Sequence, residues 1–254
     1  MSRIELTFPS KRGPALVSRF VRYFFVLLAL FAIAIASVVF VPELFEFAAG
    51  TLPIAWVLNV HGALMGMWLA LFLTQAILAS NGRLALHRKV GAFGIVLGFP
   101  VWASMVLVEM RRKVVYPLDP DFSEAYDLDL PGIYVYTTFL VFFICAIYQR
   151  RRLLDWHKRF MLFATFVALQ AAEQRNLWLP RFAPGYWTDV IYLDCFLLVP
   201  LVAYDYLSAK RLHPATIVAS CLLLGAQGVL LLVWGSPAWR HLAYSLALAL
   251  RSRF

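Results

Sequence analysis

Acidic residues are scarce in this 254-residue chain: 14 Asp and Glu stand against 23 Lys and Arg, and charged residues together make up only 15%. A soluble domain carries about a quarter charged residues. The shortfall, with 62% hydrophobic residues and a mean hydropathy of +0.75, excludes an ordinary soluble globular fold. Cysteine is scarce too. Cys145, Cys195 and Cys221 each fall within an apolar run and none belongs to a CxxC pair, which excludes a disulfide scaffold or a thiolate metal centre and leaves packing roles. There is no HxxxH pattern, as a histidine-rich membrane hydrolase would need, and no lysine deep in the last apolar run, as a retinal protein would need. No small-residue cleavage site follows the basic N-terminal lead-in, which therefore reads as a retained tail. The basic residues sit in short turns rather than along one polar face, so nucleic acid is not an expected partner. Membrane lipids are expected, together with a membrane-protein partner or a second copy of the chain.

What the chain has in place of charge is long apolar runs. Seven, at about residues 23–41, 53–79, 90–108, 133–148, 160–172, 188–206 and 215–234, are read as crossings of a hydrocarbon core about 30 Å thick, the fifth being short without its polar extension. The predicted fold is all-α, a polytopic membrane bundle of about seven transmembrane helices with a cytoplasmic N-terminus. Its divisions are a basic cytoplasmic tail (1–22), a seven-helix membrane domain (23–234) and an interfacial C-terminal tail (235–254). Alternate threading puts 15 of the 23 Lys and Arg on the cytoplasmic side, as the positive-inside rule requires. Pro42 is expected to close the first helix, and Glu173-Gln174-Arg175 to extend the fifth as a polar end. The longest connection, about residues 111–130, carries Tyr116, Phe122 and Tyr126 and could act as a lid or docking surface. No internal repeat is evident.

Polar groups inside an apolar span are costly and mark function or a specific helix contact. His61, Met65, Trp68, Phe72 and Gln75 recur at helical spacing, so the histidine and the glutamine share one stripe of the second helix facing the bundle interior. Gln170, Glu173 and Gln174 share a face of the fifth helix, followed by Arg175, and Asp194 lies inside the sixth. His61, Glu173 and Asp194 thus fall at similar depth on three helices. That set could bind a metal ion, relay protons or hold a quinone-like headgroup, and Gln75, Gln170 and Arg175 would complete it. Ion pairing of Glu173 or Asp194 with Arg175 or Arg181 is the structural alternative.

At the cytoplasmic side His87 and His157 open the third and fifth helices. They could contact lipid headgroups, bridge a divalent metal, or serve as the two axial ligands of a haem b, because they are the two histidines at matching depth. Gly91, Gly94 and Gly98 form a small-residue stripe that suits close helix packing.

His87-Arg88-Lys89-Val90-Gly91 and Trp156-His157-Lys158-Arg159-Phe160-Met161 resemble the H-R-x-x-G turn and H-[KR]-R-x-M helix start of uncharacterised bacterial multi-helix inner-membrane proteins, in which Arg175 also has a counterpart. The resemblance covers about residues 60–175. It implies a multi-pass protein of the bacterial inner membrane and assigns no reaction. A looser similarity to membrane b-type cytochromes rests on the histidines at helix ends. The functional expectation is a buried His/carboxylate site for a cofactor, metal or small ligand, in redox or proton-coupled work. The alternative is a non-enzymatic membrane subunit or assembly factor of a larger complex.

Overall fold

The computed structural model describes residues 15–51, 55–115, 127, 129–180 and 186–252, and every regular element among them is helical. The helices are α1 (Ala15–Ala48), α2 (Trp56–Ser80), α3 (Leu84–Val115), α4 (Asp129–Gln149), α5 (Leu154–Val167), α6 (Gln170–Arg175), α7 (Tyr186–Ala209), α8 (Pro214–Val233) and α9 (Pro237–Arg251). Six are long and apolar enough to cross a membrane, namely all but α5, α6 and α9. Their outward faces carry exposed Leu, Val and Phe, including Leu30, Val96, Ile144, Val199 and Leu232. A bundle with apolar side chains outside as well as inside is stable only where lipid replaces water. The protein is an integral, multi-pass membrane protein.

Several helix bounds depart from the apolar runs. α1 begins at Ala15, inside the expected tail, because Val17, Phe20 and Val21 continue the apolar face while Arg19 and Arg22 project outward. It also runs through Pro42 instead of ending there. Proline is tolerated within a membrane helix where the freed carbonyl finds another donor. α3 extends to Val115 with Pro100 in its interior, and Pro131 occupies the first turn of α4, where a missing N–H costs little. α2 ends at Asn81-Gly82; Gly82 has φ +72°, a left-handed conformation that a side chain would strain.

The expected fifth span is two helices. α5 has 14 residues and α6 six, joined by Ala168 and Leu169. Both linking residues keep right-handed angles (φ −70°, ψ −12° and φ −84°, ψ −7°), and the Leu169 N–H bonds to the Phe166 carbonyl at 2.9 Å, so the chain tightens by one turn and goes on. This interrupted rod is the most deeply buried part of the molecule. Leu162, Phe163, Ala164, Phe166 and Val167 have no exposed surface, and α4, α7 and α8 pack around it. At one end Arg159 meets the turn between α7 and α8; at the other Arg175 meets Glu43 near the end of α1. The rod therefore crosses the whole bundle, about 33 Å at 1.5 Å per residue.

The glycine stripe packs as expected. A Cβ on Gly94 would touch Leu71 of α2 at 3.0 Å, and one on Gly98 would collide with the Phe143 ring of α4. Trp68 stands edge-on to Phe139 and Phe143 and donates its indole N–H to Thr165 at 3.2 Å, tying α2 and α4 to α5.

Residues 116–126 and 128 lie outside the described residues, and with them the proposed lid residues Tyr116, Phe122 and Tyr126. The C-terminal end of that connection is anchored. Asp127 accepts from Arg240 (2.6 and 3.0 Å) and from the Gly235 N–H (3.2 Å), while Asp129 pairs with Arg112 at 3.1 Å. The Asp127 bonds tie α9 to the bundle, and Ala243 and Ala247, one turn apart, are buried where it packs.

Candidate functional site

The stripe expected on α2 does face inward. Trp68 and Phe72 are buried, and His61, Met65 and Gln75 are half-buried. His61, however, is engaged on α3: its Nδ1 lies 2.9 Å from the Ser104 hydroxyl. Ser104 spends its own proton on the Val101 carbonyl at 2.7 Å, so His61 Nδ1–H is the donor to Ser104. Asp194 is engaged on α8, where Gln227 donates to it at 3.4 Å and to the Tyr134 hydroxyl at 3.3 Å. Glu173 is buried on α6 with Gln170 beside it, and Arg175 pairs with Glu43 of α1 at 3.3 Å. Among the described residues no three His, Cys, Asp or Glu side chains lie together so as to hold a metal ion. His61, Glu173 and Asp194 do not form a common metal centre. Helical depth places residues along the bundle axis and says nothing of their positions around it, and here His61 turns to α3 while Asp194 turns to α8.

Gln75 belongs to the other end of the bundle. Its amide, oriented so that its groups match their partners, donates to the His87 carbonyl at 3.0 Å and to His87 Nδ1 at 2.6 Å and accepts from the Gly91 N–H at 2.9 Å, bracketing one turn near the start of α3. It joins the histidine pair. His87 and His157 stand with ring centres 6.4 Å apart and planes at 85°. Each is held by a carbonyl of the preceding helix, His87 Nδ1 at 3.2 Å from Gln75 O and His157 Nδ1 at 2.9 Å from Ala146 O. A carbonyl can only accept, so His157 carries its proton on Nδ1 and keeps the Nε2 lone pair. For His87 the same tautomer satisfies the Gln75 carbonyl, whereas the other would accept from the Gln75 amide nitrogen at 2.6 Å. With the amide oriented as above, His87 Nδ1 is the acceptor and its proton sits on Nε2, so His157 alone presents a free Nε2 lone pair.

The two histidines sit at equivalent places in two helical hairpins, α2–α3 and α4–α5. Aligned on them, Ala76-Ile77 matches Ala146-Ile147, Leu84 matches Leu154 and Phe93 matches Phe163. The matches are few and lie among apolar residues that are common throughout the chain.

A second polar centre was missed. Arg159, counted above as a topology signal, is 2% exposed. Its guanidinium pairs with Asp205 of α7, donates to Thr216 of α8 at 3.0 Å and to the Asp155 carbonyl at 3.1 Å, and lies over the Tyr204 ring. Asp205 also accepts from Thr216 at 2.6 Å and from the His213 N–H at 2.9 Å. Lys158 pairs with Asp155 at 2.5 Å and donates to the Tyr204 hydroxyl at 3.0 Å. The buried charges are thus paired and hydrogen-bonded, the condition under which burial is tolerable. The usable signal was spacing: Arg159 falls on the same helical face as Phe163 and Phe166, and that face is apolar. His213 borders this centre and caps α8, its Nδ1 accepting from the Ala215 N–H at 3.1 Å. Burial first, then the Arg159 charge, lowers its pKa below the ordinary 6.5, with Lys158 adding to the shift and Asp155 and Asp205 opposing it.

Neither a protein-family model, nor a curated protein, nor a solved structure matches the chain.

Proposed function

We propose that this membrane protein is a b-type haem protein of the bacterial inner membrane, a one-electron carrier whose iron is held between His87 and His157. The observation that carries the reading is their separation. Two imidazoles on opposite sides of one metal ion, with metal–nitrogen bonds of about 2.0–2.1 Å and ring centres about 1.1 Å behind those nitrogens, stand roughly 6.3 Å apart. The observed value is 6.4 Å. The bond from His157 Nδ1 to the Ala146 carbonyl is the kind of outer contact that orients a metal-ligating histidine and raises its basicity, and His87, 3.2 Å from the Gln75 carbonyl, would reach the same form by moving its proton from Nε2 to Nδ1. Bound there, the group would supply reversible one-electron exchange, chemistry no side chain of this protein provides.

The chain's own residues account for the rest of the arrangement. Gln75 fixes the start of α3 and so the His87 ring. Trp156 stacks on Phe160 at 5.8 Å beside His157. Arg88 and Lys89 follow His87 in sequence and offer cations for the carboxylates that a haem carries. Threaded by its charges, the chain puts this pair at the cytoplasmic end, with α5–α6 as a seventh crossing.

The test is the absorption spectrum of detergent-purified protein from haem-sufficient cells, with haem content measured as the pyridine complex. The wild type is expected to carry one haem b with a Soret band. His87→Ala and His157→Ala should each lose the six-coordinate spectrum, and His61→Ala should keep it. Haem-free wild type, or an unaltered spectrum in both histidine variants, would sink the proposal.

A further inference from the structure

At the bundle end away from the histidine pair, a cleft of about 590 Å³ opens between α1 and the segment that follows α6. Val38, Pro42, Glu43, Arg175, Asn176 and Trp178 line it. We infer that it holds the headgroup of a phospholipid bearing a primary amine, of the phosphatidylethanolamine type.

The strongest argument is an unsatisfied atom. Asn176 is 1% exposed, and its amide nitrogen is spent on the Ile35 and Ala172 carbonyls. Its Oδ1 is buried with no partner among the described residues. Buried polar atoms in native structures find partners, so this oxygen has room for a donor from outside the described residues. A second acceptor lies nearby: Pro42 has no N–H, so the Val38 carbonyl, one turn earlier, loses its ladder donor. The Glu43 carboxylate is the third acceptor. Opposite these stands one cation, Arg175, whose guanidinium is more than half exposed, touches Glu43 through Nη1 and lies 5.6 Å over the Phe40 ring. Its other N–H groups remain for an anion.

Three acceptors and one forked donor complement a zwitterion with N–H protons. The ammonium of an ethanolamine headgroup brings three donors for Asn176, Val38 and Glu43, and its phosphodiester suits Arg175. A choline headgroup has the same charges but no N–H. A glycerol headgroup has donors but no cation for Glu43. The surroundings fit an acyl-chain anchor, since Leu44, Phe45 and Leu177 are all strongly exposed beside the cleft.

The experiment is native mass spectrometry of the delipidated full chain in detergent, titrated with dioleoyl phosphatidylethanolamine, phosphatidylcholine or phosphatidylglycerol. The wild type should retain the ethanolamine lipid about tenfold better than either other lipid, the factor that a hydrogen bond to a charged group is worth. Asn176→Ala should bring that ratio close to one. Because Asn176 also ties α6 to α1, the exposed variants Glu43→Gln and Arg175→Gln serve as a second arm, each expected to reduce the preference with the melting temperature unchanged. Equal retention of ethanolamine and choline lipids by the wild type would overturn the inference. So would a preference for the glycerol lipid, or an undiminished ethanolamine preference in all three variants.

Discussion

His213 caps α8 through a ring nitrogen that must be unprotonated to accept from the Ala215 N–H. Its pKa is lower in the folded protein than the ordinary 6.5. The folded state therefore binds this proton more weakly than the unfolded chain does, so the stabilising contribution is complete above 6.5 and is lost as pH falls below it. Melting in detergent should drop between pH 7.5 and pH 5.5, and His213→Asn, which keeps a capping acceptor but does not titrate there, should remove that part of the drop. An identical pH profile in the variant would refute the assignment. Arg159 and Asp205 obey different arithmetic. Removing one member of a buried pair strands the other, so Arg159→Ala should cost about 3–5 kcal/mol, and Arg159→Met combined with Asp205→Leu should cost less than either single change. Chemical unfolding of the four proteins measures this; additive losses would mean that the pair is not coupled. These residues also show where sequence reading stops. His87 and His157 were legible because each opens a helix after a basic turn, which fixes their depth. Arg159 was not, because an arginine in a basic turn looks like a topology signal until its partners on two later helices are known.

At the scale of elements, the apolar runs located the six spans well, because lipid contact demands hydrophobicity of every residue that meets it. They failed at α5–α6 for the same reason. The middle of the rod, residues 162–170, is wrapped by protein, so Arg159, Thr165, Gln170 and Glu173 can lie buried along it with protein in place of lipid around them. The most central helix is thus the one that hydropathy marks least clearly. Helix ends were misjudged where proline was taken as a stop, at Pro42. The glycine stripe yields a sharp expectation. Gly98→Ala places a methyl group against the Phe143 ring and should destabilise the α3–α4 contact by about 1–3 kcal/mol. Gly62→Ala, with open space around its Cβ, should be neutral or slightly stabilising through helix propensity. Comparable melting temperatures for the two variants would contradict this packing.

At the scale of the whole molecule, the fate of α5–α6 sets the side of the membrane on which everything after it lies. The rod starts beside the α7–α8 turn, where Arg159 meets Asp205, and ends beside Glu43, so within the bundle it joins opposite ends. If the bundle axis is the membrane normal, the rod is a crossing, and the turn before α5 and the end of α9 must face opposite sides. If it instead enters and returns, they must face the same side. In a cysteine-free background, Arg151→Cys and Ser252→Cys place one thiol at each location, both exposed. A membrane-impermeant maleimide added to intact cells should label position 252 and spare position 151 until the membrane is opened. Labelling of both, or of neither, would remove the seventh crossing whatever the absolute orientation. Labelling of 151 alone would keep the crossing and reverse the bundle, carrying the histidine pair to the outer face and the lipid cleft to the inner one.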